Sequence, residues 1–219
     1  MAIQAILFDI DGTLVDSNYL HIEAWSRALT EAGAKVDSWR VHRAIGMDSE
    51  KLLAELLGND AETLGPRAAE LHGNYYGELS GRLRAFDGAR ELVRTLADRG
   101  LTVVLATSAP EKELAELRKV LNIEESITVV TSANDVSTAK PAPDVVEVAL
   151  READVPASEA IMVGDTVWDV EAAARAGVAC VGVETGGISP AELLDAGAVA
   201  TYRDVLSLLS ALDESPLVH

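Results

Sequence analysis

Apolar residues fall in short unbroken runs at 3–8, 101–106, 127–131, 160–163 and 178–183, with a weaker run near Val199. Runs of this length, bounded by turn residues, predict strands buried on both faces. Between them the period changes to that of a helix: Leu92, Val93 and Leu96 before Gly100; Leu114, Leu117 and Leu121; Val145, Val148 and Ala149; Val170, Ala173 and Ala174 before Gly177. Strand alternating with helix predicts an α/β fold, a doubly wound parallel sheet whose ligands lie beyond the carboxyl ends of its strands.

Residues 17–84 interrupt the alternation. Ile22, Trp25, Leu29 and Ala32, then Leu52, Leu53, Leu56 and Leu57, keep helical spacing with no convincing strand. The division expected is an α/β catalytic domain from 1–16 and 85–219, with an inserted α-helical cap at 17–84. Glycines in the stretch 81–88 let the chain re-enter the sheet domain, and two crossings make the insertion a candidate lid. Trp25 reads as core of that insertion. Near the end, Leu206, Leu208, Leu209 and Leu212 predict a last helix, followed by a loose tail over 214–219.

Composition narrows the function. With 219 residues, 48% of them hydrophobic, the chain can bury a substantial core. Its 36 acidic against 18 basic residues give a formal charge of −18, which opposes association with nucleic acid or an anionic membrane. The single cysteine, Cys180, sits in an apolar run and reads as a buried residue without a disulfide partner in the chain. The start lacks the pattern of a signal peptide, and no run reaches the roughly 18 apolar residues of a membrane span. A cytoplasmic protein, monomeric or a small homo-oligomer, is the expectation.

Chemistry concentrates where apolar runs end. Asp9 and Asp11 close the first run, and side chains at i and i+2 of an extended segment point to one side. They repel unless a cation or a shared proton relieves them. Magnesium suits such oxygen ligands, whereas zinc favours the His and Cys that the segment lacks. An aspartate can attack phosphorus, and a second can protonate the leaving alkoxide and then deprotonate water. The plainer alternative is a strand-end turn, with Gly12 and Thr13 supplying the turn chemistry.

Three further segments bear on that choice. Thr107 and Ser108 leave the second run, where their hydroxyls and amides suit a phosphoryl oxygen, or else cap a helix. Lys140 precedes Pro141-Ala142-Pro143-Asp144, a stiff entry to a helix, and offers a positive charge to an anion; the alternative is a surface lysine. Asp165 ends the fourth run as a natural metal ligand. Asp169, a helical turn later, either binds metal, orients Lys140, or serves as an ordinary helix-start acid.

The order Asp9-Ile10-Asp11-Gly12-Thr13, then Thr107, then Lys140 to Asp144, then Gly164-Asp165 to Asp169, resembles the haloacid dehalogenase superfamily in its phosphatase branch. The resemblance spans nearly the whole chain. It implies a Rossmann-like core with Asp9 as nucleophile, Asp11 as general acid/base, and Thr107 with Lys140 as phosphate holders. It further implies Mg2+ bound through the Asp9 carboxylate, the Asp11 carbonyl and Asp165, with Asp169 the fourth candidate. His21, in His21-Ile22-Glu23-Ala24-Trp25, and Arg43, before Ile45-Gly46-Met47, resemble cap positions that touch substrate; each can equally be structural or solvated.

The activity expected is therefore Mg2+-dependent hydrolysis of a small phosphorylated metabolite through an aspartyl-phosphate. Asp11 argues against relatives that cleave carbon–halogen bonds or phosphonates. A phosphosugar mutase of the beta-phosphoglucomutase type shares the aspartate pair and the His-x-x-Ala-Trp segment, but Thr13 and Gly164-Asp165-Thr166 favour hydrolysis. A non-catalytic phosphate-binding or regulatory module is the alternative of another class, and the intact set of motifs opposes it.

Overall fold

The computed structural model describes residues 2–135 and 140–218. The chain divides into two compact units, one comprising Met1–Asp16 with Arg84–His219 and the other Ser17–Leu83.

Among the described residues the first unit is built on six parallel strands: β1 (Ala5–Phe8), β2 (Thr102–Leu105), β3 (Val129–Val130), β4 (Ala160–Gly164), β5 (Ala179–Val183) and β6 (Ala200–Tyr202). Their order is β3-β2-β1-β4-β5-β6, and every adjacent pair is parallel. The order reverses direction at β1, which creates a crevice at the carboxyl edge beside β1. Every residue of β1 and β4 is buried, as strands covered on both faces require. β3 is shorter than the run 127–131: Val129–Val130 lie opposite Val104–Leu105 of β2, flanked by hydrogen bonds from Thr128 N to Val103 O and from Thr131 N to Leu105 O, both 2.9 Å.

The second unit contains α1 (Asn18–Glu31), α2 (Ser38–Ala44), α3 (Ser49–Leu57) and α4 (Ala61–Leu79). Trp25, Leu29, Val41, Ala44, Leu52, Leu53, Leu56 and Ala68 meet in its own apolar core. The helical periodicity thus corresponds to helices that bury one stripe against each other.

The chain returns to the first unit with α5 (Ala89–Asp98), α6 (Glu111–Leu121), α7 (Asp144–Ala153), α8 (Val167–Arg175), α9 (Pro190–Asp195) and α10 (Val205–Ser210). Val145, Val146 and Ala149 of α7, Val170, Ala172 and Ala173 of α8, and Leu193 of α9 pack on Leu7, Val104, Met162 and Cys180 of the sheet. The alternate strand residues Ile6, Phe8, Val103 and Leu105 are also buried, on the other face. Where the chain leaves and re-enters this unit, the two strands of the crossing pair: Phe86 N donates to Leu14 O at 3.0 Å and Asp16 N to Arg84 O at 2.9 Å.

The expectation of a loose tail is corrected. Residues Leu212–Glu214 and Pro216–Val218 form short 3-10 turns. Leu212, Ser215 and Leu217 are buried, and Ser215 Oγ donates to Leu212 O at 2.8 Å. Burial of the two leucines holds in place a segment that its position at the end of the sequence alone suggested was loose.

Candidate active site

Parallel strands expose all their carboxyl ends on one edge, and that edge gathers the chemistry. Asp9 follows β1, Thr107 follows β2, Asp165 follows β4, and Lys140 precedes α7. Asp9 N still donates to Val163 O at 3.0 Å and Ala106 N to Phe8 O at 2.7 Å, so the pairing of the sheet continues into the first residues beyond the strands. The backbone carrying Asp9 is therefore as fixed as the strand itself.

Asp9, Asp165 and Asp169 place one carboxylate oxygen each within 4.8 Å of one another. None is more than 6% exposed, and Lys140 is buried among them. The Lys140 ammonium pairs with Asp9 Oδ1 and lies 2.6 Å from Asp169 Oδ1. Asp169 Oδ2 is engaged from the other side, accepting from Thr166 N at 3.0 Å and Thr166 Oγ1 at 2.6 Å in a capping box that starts α8. One residue thus begins a helix and orients the lysine. Asp165 Oδ1 accepts a hydrogen bond from Thr13 Oγ1 at 2.8 Å.

The electrostatics follow from the burial. Desolvation raises the Asp9 carboxyl to about 7; Lys140 opposes the rise, while Asp169 and Asp11 add to it. Asp165 is pushed well above the carboxylate range by burial, then by Asp169 and Asp9, against the Thr13 hydrogen bond. Burial alone would lower the Lys140 ammonium, but Asp169 and Asp9 outweigh it and hold it above its ordinary value. With all groups ionised, three carboxylates face one ammonium, leaving two negative charges uncompensated.

A divalent cation fits that deficit. The donor set is carboxylate oxygen alone, which suits magnesium over softer metals. Two glycines make room for these carboxylates: a Cβ on Gly164 would overlap Asp169, and one on Gly186 would overlap the Asp165 carboxylate. Asp11 is partly exposed and its carboxylate is not among the three that converge.

Thr107 is buried beside this cluster's strand edge. Its N–H donates to Thr131 Oγ1 at 3.0 Å, and its own Oγ1 accepts from Ala109 N at 3.0 Å. The amide is thus committed within the protein, and the hydroxyl proton is the group Thr107 retains for a ligand. It is not a helix cap, since α6 begins after Pro110. Ser108 follows, partly exposed.

His21 and Arg43 belong to the helical unit. His21 stacks on Tyr76 with ring centroids 3.9 Å apart, and its Nδ1 lies 3.1 Å from Nε2 of the buried His72, which stacks in turn on Trp25. Arg43 is exposed on α2. Sequence reasoning missed Thr131, the Thr13–Asp165 bond and Gly186. Thr131 ends its apolar run as Thr107 ends another, so the strand-end rule was the available signal.

Comparison with known proteins bears on this geometry. A family model described as haloacid dehalogenase-like hydrolase matches residues 6–183. The phosphoglycolate phosphatase of Pseudomonas syringae pv. tomato is 31% identical over 188 residues, covering 83% of this chain and 69% of that protein. The phosphorylated carbohydrates phosphatase of Thermotoga maritima is 28% identical, covering 94% of this chain and 98% of that one. A crystal structure of a hydrolase from Pseudomonas syringae superposes with a TM-score of 0.90 at 35% identity, covering 96% and 98% of the two chains.

Proposed function

Because the chain belongs to the haloacid dehalogenase-like hydrolases, in their phosphatase branch, we propose that it hydrolyses a small phosphomonoester by way of an aspartyl-phosphate on Asp9. The observation that carries this reading is the cluster of three buried carboxylates at the carboxyl edge of the sheet, two of which, Asp9 and Asp169, pair with the buried Lys140 ammonium.

Asp9 is the nucleophile: a carboxylate oxygen bonds to phosphorus as the ester P–O bond breaks, and Asp11 gives its proton to the departing alkoxide. Asp11 then takes a proton from water, whose oxygen attacks the same phosphorus and frees phosphate and Asp9. Lys140, held by Asp169, neutralises phosphoryl charge, and the Thr107 hydroxyl donates to a phosphoryl oxygen. Asp9 and Asp165 would hold magnesium with the Asp11 carbonyl, and Asp169 serves chiefly to orient Lys140. When bound, the metal supplies charge that lets an anionic carboxylate approach an anionic phosphate.

The helical unit is assigned the role of a cap that selects the leaving group, with His21 and Arg43 its first candidates. The relatives named above make phosphoglycolate and phosphorylated sugars the first substrates to try.

The test is phosphate release with Mg2+ over a panel of phosphoglycolate, hexose phosphates and nucleoside monophosphates. Release from at least one, abolished by chelation, is expected. Accumulation of an isomerised sugar phosphate without free phosphate would replace the reading by a mutase.

A further inference from the structure

The turn after β5, Glu184–Gly186, lies outside all four segments that carry the chemistry, yet it meets two of them. Thr185 Oγ1 donates to the carbonyl oxygen of Gly12 at 2.5 Å. A Cβ at Gly186 would overlap Asp165 Oδ2 and come within 2.9 Å of its Cγ and 3.0 Å of its backbone oxygen. The backbone of Gly186 is not left-handed, whereas Gly187 beside it is, with φ of 80°. Glycine at 186 therefore answers to space and not to conformation.

We propose that Thr185 and Gly186 form a positioning element for the carboxylate centre. Asp165 is fixed from two sides: Thr13 holds Oδ1, and the gap at Gly186 receives Oδ2. Thr185 ties the turn that follows Asp11 to the end of β5, so the loop bearing Thr13 keeps its register with Asp165. Neither residue touches the reacting atoms; both act through Asp165 and the Gly12-Thr13 turn. A methyl group at 186 must turn the Asp165 carboxylate away, and a metal ligand displaced by a fraction of an ångström binds its ion less well.

The inference rests on the metal-dependent phosphatase reading above, and its test separates the two. Gly186→Ala, Thr185→Val and Thr185→Ser are compared with Gly77→Ala, where an added Cβ meets nothing within 4 Å. Each is titrated with Mg2+ alone, by calorimetry and by thermal stabilisation, and then assayed for kcat and KM.

Gly186→Ala is expected to need at least tenfold more Mg2+ for half-saturation and to lose kcat more than KM. Thr185→Val is expected to show a smaller shift, Thr185→Ser to restore wild-type behaviour, and Gly77→Ala to match wild type. Wild-type Mg2+ titrations for both Gly186→Ala and Thr185→Val overturn the proposal. Should Gly186→Ala not fold, the Thr185→Val against Thr185→Ser comparison decides it. Phosphate release lost in Asp9→Asn while both Gly186→Ala and Thr185→Val bind Mg2+ normally overturns the positioning role alone. A wild-type protein that releases no phosphate overturns the phosphatase reading, and the Mg2+ titration still reports on the turn.

Discussion

Thr13 and Asp165 stand 152 positions apart in sequence and meet through a buried hydrogen bond of 2.8 Å, donated by the threonine hydroxyl. The bond satisfies one oxygen of a carboxylate that burial drives toward its neutral form, and it opposes that drive. Replacing Thr13 by Val keeps the shape and removes the donor. The variant should lose about 1–3 kcal/mol of stability in urea unfolding and bind Mg2+ more weakly, whereas Thr13→Ser should recover most of both. Unchanged unfolding and Mg2+ titration in Thr13→Val would show the bond to be dispensable.

Asp9→Asn should lower phosphate release by about 10⁴-fold or more while the protein still folds, because the amide fills the same space without nucleophilicity. Asp11→Asn should slow the second half-reaction, so that intact-protein mass spectrometry after brief exposure to substrate detects a phosphoryl adduct. Peptide mapping of that adduct to any residue other than Asp9 refutes the assignment.

Lys140 sits between Asp9 and Asp169 with almost no access to water. Lys140→Met leaves both carboxylates buried without their cation, a change of the order of 3–5 kcal/mol at neutral pH. Combining it with Asp169→Asn should recover part of the loss, since the second change removes one of the stranded charges. Equilibrium unfolding of the four proteins gives the coupling, and strict additivity would mean the pair is not energetically linked.

His72 offers a pH test away from the carboxylates. Burial, with some contribution from His21, lowers its pKa from 6.5 to about 3. The unfolded chain therefore takes up a proton at higher pH than the folded one. The stabilisation is complete above about pH 6.5 and is lost as pH falls from there toward 3, by up to about 1.4 kcal/mol per unit. Urea midpoints of wild type and His72→Phe from pH 7.5 to 4.5 should show the shallower acid dependence in the variant. Parallel curves would remove His72 from the account.

Acids that end a wholly apolar run were legible in the sequence, because nothing in strand packing asks for a carboxylate there. That is why Asp9 and Asp165 stood out, and why the alternation of runs and helical periods disclosed the parallel sheet. Thr185 and Gly186 were not legible. Thr and Gly are the ordinary vocabulary of turns, and these two acquire their meaning only where separate strand ends meet. His72 lay within reach, since with Tyr76 it marks one face of α4, but its hydrogen bond to His21 depends on how α1 packs on α4. The dual engagement of Asp169 was open in the sequence and is visible only through Lys140 and Thr166.

The paired crossing at Leu14–Asp16 and Arg84–Phe86 has a consequence for descent. Because departure and return are laced together by the sheet unit's own backbone, everything from Ser17 to Leu83 hangs from it like a single long loop. Such an attachment lets descent replace or reshape the inserted helices without breaking the backbone pairing that closes the sheet unit.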